Sequence, residues 1–133
     1  MTIKEQETQL IDDFADLGDE MLQYEYLLNL SCGLDILAEG ERNEANQVEG
    51  CQSGVWMELS KENGRLHMRA YSDSLIVRGI LAMIGLLLEN RRPGEIANHR
   101  FRFLQETFLK DQLSAERSGG IRSVLDKILR FCK

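Results

Sequence analysis

The stretch Val55-Trp56-Met57-Glu58-Leu59-Ser60-Lys61-Glu62-Asn63-Gly64-Arg65-Leu66-His67-Met68-Arg69-Ala70-Tyr71 reads as two strands folded back on each other. Val55, Met57 and Leu59 alternate with Trp56, Glu58 and Ser60, and Leu66, Met68 and Ala70 alternate with His67, Arg69 and Tyr71. A period of two is the signature of a strand with one buried face. Asn63-Gly64 supplies the two-residue turn whose twist matches that of its flanking strands. Pairing Glu62 with Arg65 sets Met57 opposite Ala70 and Leu59 opposite Met68 on the apolar side. The other side then carries Trp56 with Tyr71, Glu58 with Arg69 and Ser60 with His67. Both faces are chemically consistent, so the register is specified. His67 is thereby expected to be an exposed, structural strand residue.

Outward from this hairpin the pattern turns helical. Ahead of it, Thr2-Ile3-Lys4-Glu5 is a capping box, Leu10, Ile11, Phe14 and Leu17 follow at helical spacing, and Gly18 ends the run. Asp19 caps a second expected helix running to about Glu39, with Leu28, Cys32 and Ile36 on one buried face and Gly40 as its stop. Glu41 to Gln47 is polar enough to be a solvated connection.

Behind the hairpin, Ser72-Asp73-Ser74 caps a helix carrying Gly79-Ile-Leu-Ala-Met-Ile-Gly-Leu-Leu-Leu88. That run is apolar nearly all round, as a buried central helix is, and is shorter than the ~20 residues a membrane span needs. Gly79, Ala82 and Gly85 make a line of small residues that lets another backbone approach. After the break at Asn90-Arg91-Arg92-Pro93-Gly94, residues 95 to 109 suggest one or two short helices with Phe101, Leu104 and Phe108 turned inward. Arg91, Arg92, Arg100 and Arg102 read as solvated charge, with His99 lacking a visible partner among them. The last helix keeps Ile121, Val124, Leu125, Ile128, Leu129 and Cys132 on one stripe. Leu113 to Gly120 precedes it, with Ser114 or Ser118 as cap and two glycines leaving an open helix start beside Arg117.

Length and composition point to one α/β (α+β) domain over residues 1–133, helices packed on a small antiparallel sheet. The apolar fraction is 43% and the charged fraction 29%. A net charge of −6 disfavours nucleic acid as a main partner. No basic-then-apolar leader is visible, and three widely spaced cysteines form no disulfide framework, so a reducing cytoplasm is the simplest expected setting.

Chemistry concentrates in Val48-Glu49-Gly50-Cys51-Gln52-Ser53-Gly54, a polar loop leading into the first strand. Cys32 and Cys132 sit on helical stripes and read as core, whereas Cys51 lies among small and polar neighbours where reactive groups collect. Neither histidine has an orienting partner for nucleophilic catalysis, and the cysteines lack metal-site spacing. No second cysteine in the loop offers a dithiol pair. What remains is one thiol that exchanges sulfur, which needs a thiolate, access and stabilised negative charge. Backbone donors at Gly50, Gln52 and Ser53, or the charge of Arg117, are candidate supports.

Val48-Glu49-Gly50-Cys51-Gln52-Ser53-Gly54-Val55-Trp56 resembles the SufE family of sulfur acceptors for cysteine desulfurases. The similarity continues through Ser72-Asp73-Ser74-Leu75-Ile76-Val77-Arg78-Gly79-Ile80-Leu81-Ala82 and again at Leu113-Ser114, Arg117-Ser118 and Gly120-Ile121-Arg122. It departs at the front, where Asp19-Glu20-Met21-Leu22-Gln23-Tyr24 stands for the family's Asp-Trp-x-x-Arg-Tyr. The resemblance implies a SufE/IscU-like fold and a role in iron–sulfur cluster assembly. Cys51 would take persulfide sulfur from a SufS- or CsdA-like desulfurase, stimulate that enzyme, and pass the sulfur to a scaffold such as SufBCD. Pyridoxal phosphate would belong to the desulfurase, with no cofactor or metal on this chain, which would be a monomer or weak dimer. The alternative is a regulatory or adaptor protein that binds a desulfurase without carrying sulfur.

Overall fold

The structure is a computed structural model that describes residues 1–51 and 54–133. Helix α1 (Ile3–Leu17) starts in the expected capping box, with Thr2 and Glu5 exchanging hydrogen bonds at 3.1 Å, and ends at Gly18 with φ +67°. Asp19 caps α2 (Glu20–Leu30) through the Met21 N–H at 2.7 Å. The hairpin is β1 (Val55–Glu62) and β2 (Arg65–Ser72), antiparallel, with Glu62 opposite Arg65 and the register read from the sequence throughout. Asn63 and Gly64 both take positive φ, as this turn requires. Then follow α3 (Leu75–Leu88), α4 (Pro93–Ala97), α5 (Phe103–Glu106), α6 (Leu109–Gln112) and α7 (Ala115–Cys132). The α+β class is as expected: helices packed on a two-stranded antiparallel sheet.

The centre is α3, capped by Ser74 and buried along most of its length. Gly79 in its small-residue line admits a close approach as expected, because a Cβ there would lie 2.7 Å from the Leu27 carbonyl oxygen. The α2 backbone thereby comes directly against α3, and Leu27 is wholly buried there. Met57, Leu66, Met68 and Ala70 on the hairpin, and Ile121, Val124, Leu125 and Ile128 of α7, belong to the same apolar core.

Several expectations fail, each for a physical reason. α2 stops at Leu30, nine residues short, where the Ser31 hydroxyl bonds to the Leu28 carbonyl and one tight turn (Ser31–Gly33) redirects the chain. The following residues are extended: the Ala70 N–H donates to Asp35 O at 3.0 Å and the Leu37 N–H to Ala70 O at 3.2 Å. Leu34 and Leu37 consequently enter the core while Cys32 and Ile36 are exposed, the reverse of the helical reading. Residues 41–47 are more than a solvated link. Glu41 pairs with Arg69, and Asn46 O accepts the Met57 N–H at 2.7 Å. Both outer edges of the hairpin are thus occupied by short extended segments, which blunts its capacity to pair with other chains.

In the 95–109 region Ile96, Phe103 and Leu109 are the fully buried residues, with Phe101, Leu104 and Phe108 only half-buried. The arginines nearby are partly structural: Arg91 donates to Leu87 O at 2.7 Å and to Gln6 at 2.6 Å, and Arg102 to Thr8 at 2.6 Å. His99 does have a partner, Glu7 on α1 at 2.9 Å, too distant in sequence to be seen from local pattern. Finally, α7 begins at Ala115 under a Ser114 cap, so Gly119 and Gly120 lie inside the helix rather than before it.

Candidate functional site

The Cys51 loop is built by the sheet. Gln47 bridges Trp56, and the Val48 N–H donates to Val55 O at 2.8 Å, so residues 46–48 pair antiparallel with the start of β1. Cys51 lies in the connection that this pairing closes. Gly50 adopts φ +84°, a left-handed conformation in which a side chain is strained, and this bend carries the chain toward α7. At the exit, a Cβ on Gly54 would lie 2.6 Å from both the Asp73 carboxylate and the Trp56 ring. Glycine there admits close approach of the residue that precedes the α3 cap.

Cys51 is half-buried, and its thiol donates a hydrogen bond to the Gly120 carbonyl on α7 at 3.3 Å. Thiols are weak donors, so this tie is a light one. Burial pushes the Cys51 thiol up from its ordinary value, which leaves the resting side chain protonated at neutral pH. Arg117 is half-buried, one helical turn before Gly120 on α7, and its N–H is held by the Ser114 hydroxyl at 3.2 Å. Gln52 and Ser53, the other expected supports, lie outside the described residues. The structure thus brings Gly50, Cys51 and α7 together, with Arg117 on the same helix.

Beside the loop runs a groove of about 680 Å³ between residues 47–49 and α7, lined by Val48, Glu49, Ser123, Lys127 and Arg130 among others. Next to the loop's exit, on the polar face of the hairpin, the Tyr71 ring has the Arg42 guanidinium 3.4 Å and that of Arg78 4.6 Å from its centroid, with Trp56 6.1 Å away. Arg78 is fixed there by hydrogen bonds to Ser72 O at 2.6 Å and the Tyr71 hydroxyl at 2.9 Å.

Two other chemically capable groups, Cys132 and His67, are occupied structurally, while Cys32 is a free, exposed thiol. Cys132 is buried at the end of α7, as expected, and burial pushes its thiol up. His67 stands opposite Ser60 and contacts Glu89 at 3.0 Å through Nδ1 and Asp35 at 2.8 Å through Nε2. Two carboxylates favour protonation of both ring nitrogens, and the Glu89 hydrogen bond is the larger cause of a raised His67 pKa. Sequence reasoning missed Gly120. The signal was present: Gly120 falls four residues before Val124, on the buried stripe of α7, whereas Gly119 does not.

Known proteins resemble this chain over nearly all its length. A family model described as SufE, Fe-S metabolism associated domain, matches residues 8–132. An uncharacterized SufE-like protein of Rhizobium etli is 35% identical, covering 94% of this chain and 88% of that one. The sulfur acceptor protein CsdE of Escherichia coli K12 is 31% identical, covering 93% of this chain and 86% of its own. The solution structure of a hypothetical protein from Thermus thermophilus superposes with a TM-score of 0.79 at 17% identity, over 95% of this chain and 92% of that chain. At that identity it speaks for the fold alone.

Proposed function

This chain belongs to the SufE family, Fe-S metabolism associated, and from that premise we propose that it accepts sulfur at Cys51 from a cysteine desulfurase. The observation that carries the reading is the position of Cys51: on a closed loop, half-covered, and held by one weak bond to a neighbouring helix. A core thiol has no need of a glycine bend and a polar loop, and a permanently exposed thiol is open to oxidation.

In the proposed step Cys51, as thiolate, attacks the terminal sulfur of a persulfide on the partner. A new S–S bond forms at Cys51 while the partner's S–S bond breaks, and the partner's own sulfur leaves as thiolate. The electrons balance without an external oxidant or reductant, because the persulfide changes owner. Burial makes thiolate scarce in the resting position, so ionisation is favoured by whatever uncovers the thiol. Arg117 is assigned to stabilise negative charge or to contact the partner. The partner is a SufS- or CsdA-like enzyme that keeps the pyridoxal phosphate, and a scaffold such as SufBCD takes the sulfur onward. This chain would then act without a cofactor, as a monomer or weak dimer in a reducing cytoplasm.

The reading is tested by desulfurase turnover with free cysteine, with and without this protein. Wild type should speed turnover by clearing the enzyme's persulfide, and Cys51→Ser should not. Stimulation that persists in Cys51→Ser would move the protein to the regulatory, non-carrier class.

A further inference from the structure

Gly119 and Gly120 stand side by side in the second turn of α7, where glycine costs helix stability relative to alanine. Neither has a positive φ, so backbone conformation does not call for glycine at either position. Their surroundings differ completely. A Cβ on Gly119 would meet nothing within 4 Å. A Cβ on Gly120 would lie 3.0 Å from Cys51 Sγ, 3.2 Å from its Cα and 3.3 Å from its Cβ. Cys51 supplies all three of the nearest atoms.

The loop meets the next turn of the helix as well. A Cβ on Gly50 would lie 3.0 Å from the Ser123 hydroxyl, and that hydroxyl donates to Gly119 O at 3.2 Å. Positions 120 and 123 share a helix face, so Gly50 and Cys51 rest on one continuous strip of α7. The Gly120 carbonyl receives the thiol proton at 3.3 Å. One residue therefore supplies both the space and the acceptor for the resting side chain.

We propose that Gly120 is a positioning residue for sulfur uptake, its missing side chain forming the seat in which the Cys51 thiol is held until a partner lifts the loop. The inference rests on the carrier reading for its purpose, but its geometry does not. In the seated position Sγ faces the helix carbonyl, so a partner's persulfide gains in-line access only after the loop moves. Alanine at 120 puts a carbon 3.0 Å from Sγ, closer than ordinary contact, so the thiol must give way and the seated position is disfavoured. Alanine at 119 changes helix propensity by the same amount and leaves the seat intact.

The test measures iodoacetamide alkylation of Cys51, read by peptide mass, in a Cys32→Ser background that removes the exposed competing thiol. Gly120→Ala should raise the Cys51 rate by roughly tenfold or more at neutral pH, on the scale by which one extra methyl disturbs close packing. It should also move the alkylation profile to lower pH, while Gly119→Ala stays within about twofold of the parent. Equal rates in the two alanine variants, or no gain in Gly120→Ala, would overturn the seat. Cys132, buried at the far end of α7, reports on the fold by staying protected. If it becomes reactive in Gly120→Ala, Ser123→Leu takes over, filling the space beside Gly50. A gain at Cys51 with Cys132 protected then supports the seat, and no gain overturns it. Loading by a desulfurase is scored separately. A protein that never gains sulfur but still separates the two alanine variants would lose the carrier reading and keep the seat.

Discussion

The segment at 99–103 is fastened to α1 by Glu7, while the Cys51 side chain rests on α7 through a thiol hydrogen bond. Glu7 is wholly buried, and its carboxylate accepts from His99 Nε2 at 2.9 Å, the Arg102 N–H at 2.8 Å and the Phe103 N–H at 3.0 Å. Such a group tolerates burial because both of its oxygens are engaged, and releasing the segment would strand it together with two backbone donors. Lifting the Cys51 side chain off α7 strands far less, since a thiol and one carbonyl readily return to water. A buried carboxylate and a half-buried thiol thus mark opposite ends of one scale, from permanent fastening to reversible seating. The contrast sets a segment tied by three hydrogen bonds to one carboxylate against a thiol tied by a single weak one.

The largest expected loss of stability follows from breaking the strong side. Glu7→Ala should cost about 3 kcal/mol or more in urea unfolding, because it leaves two backbone donors and a histidine without their acceptor. A cost below about 1 kcal/mol would mean that water replaces the carboxylate and the fastening is dispensable.

Next comes close packing under the sheet. Gly79→Ala forces a carbon to within 2.7 Å of the Leu27 carbonyl, a backbone group that cannot step aside. About 2 kcal/mol should be lost in the same unfolding measurement, outweighing the ~1 kcal/mol that alanine gains as a helix former.

A smaller and pH-dependent effect is expected at His67, which bridges Glu89 and Asp35. Its folded pKa is raised, first by the Glu89 hydrogen bond. The stabilisation is therefore complete below the ordinary value near ~6.5 and is lost as pH rises through the folded value. His67→Gln should cost up to about 1 kcal/mol at pH ~6 and nearly nothing at pH ~9. A deficit that grows with pH would contradict the assignment.

The smallest stability effect belongs to the weak side. Cys51→Ser should change unfolding by about 0.5 kcal/mol or less, since one light hydrogen bond is exchanged for another. If that substitution rivals Glu7→Ala, the thiol is a structural element and the comparison fails.

What the sequence disclosed follows the range of each interaction. The hairpin register was legible because alternation and the Asn63-Gly64 turn are local, and each cross-strand pair confirmed its neighbours. The caps at Thr2 and Asp19 were legible for the same reason, and Ser74 and Ser114 were each among the cap residues the sequence offered. Cys32 was misplaced because Leu28, Cys32 and Ile36 imitate a helical face, whereas the chain lays residues 35–37 along β2. His99 was misjudged because its partner lies 92 residues away. At the candidate site Cys51 stood out through its neighbours in the chain. Gly120's place on the buried stripe of α7 was legible, but its partner was not, because Cys51 lies 69 residues earlier and only the fold brings them together.

The most direct test of the central claim is the intact mass of the protein after incubation with a cysteine desulfurase and free cysteine, followed by peptide mapping. The account predicts one added sulfur atom, located on Cys51, removable by reductant and absent from Cys51→Ser. A wild-type protein that gains no sulfur, or a Cys51→Ser variant that gains it elsewhere, would contradict it.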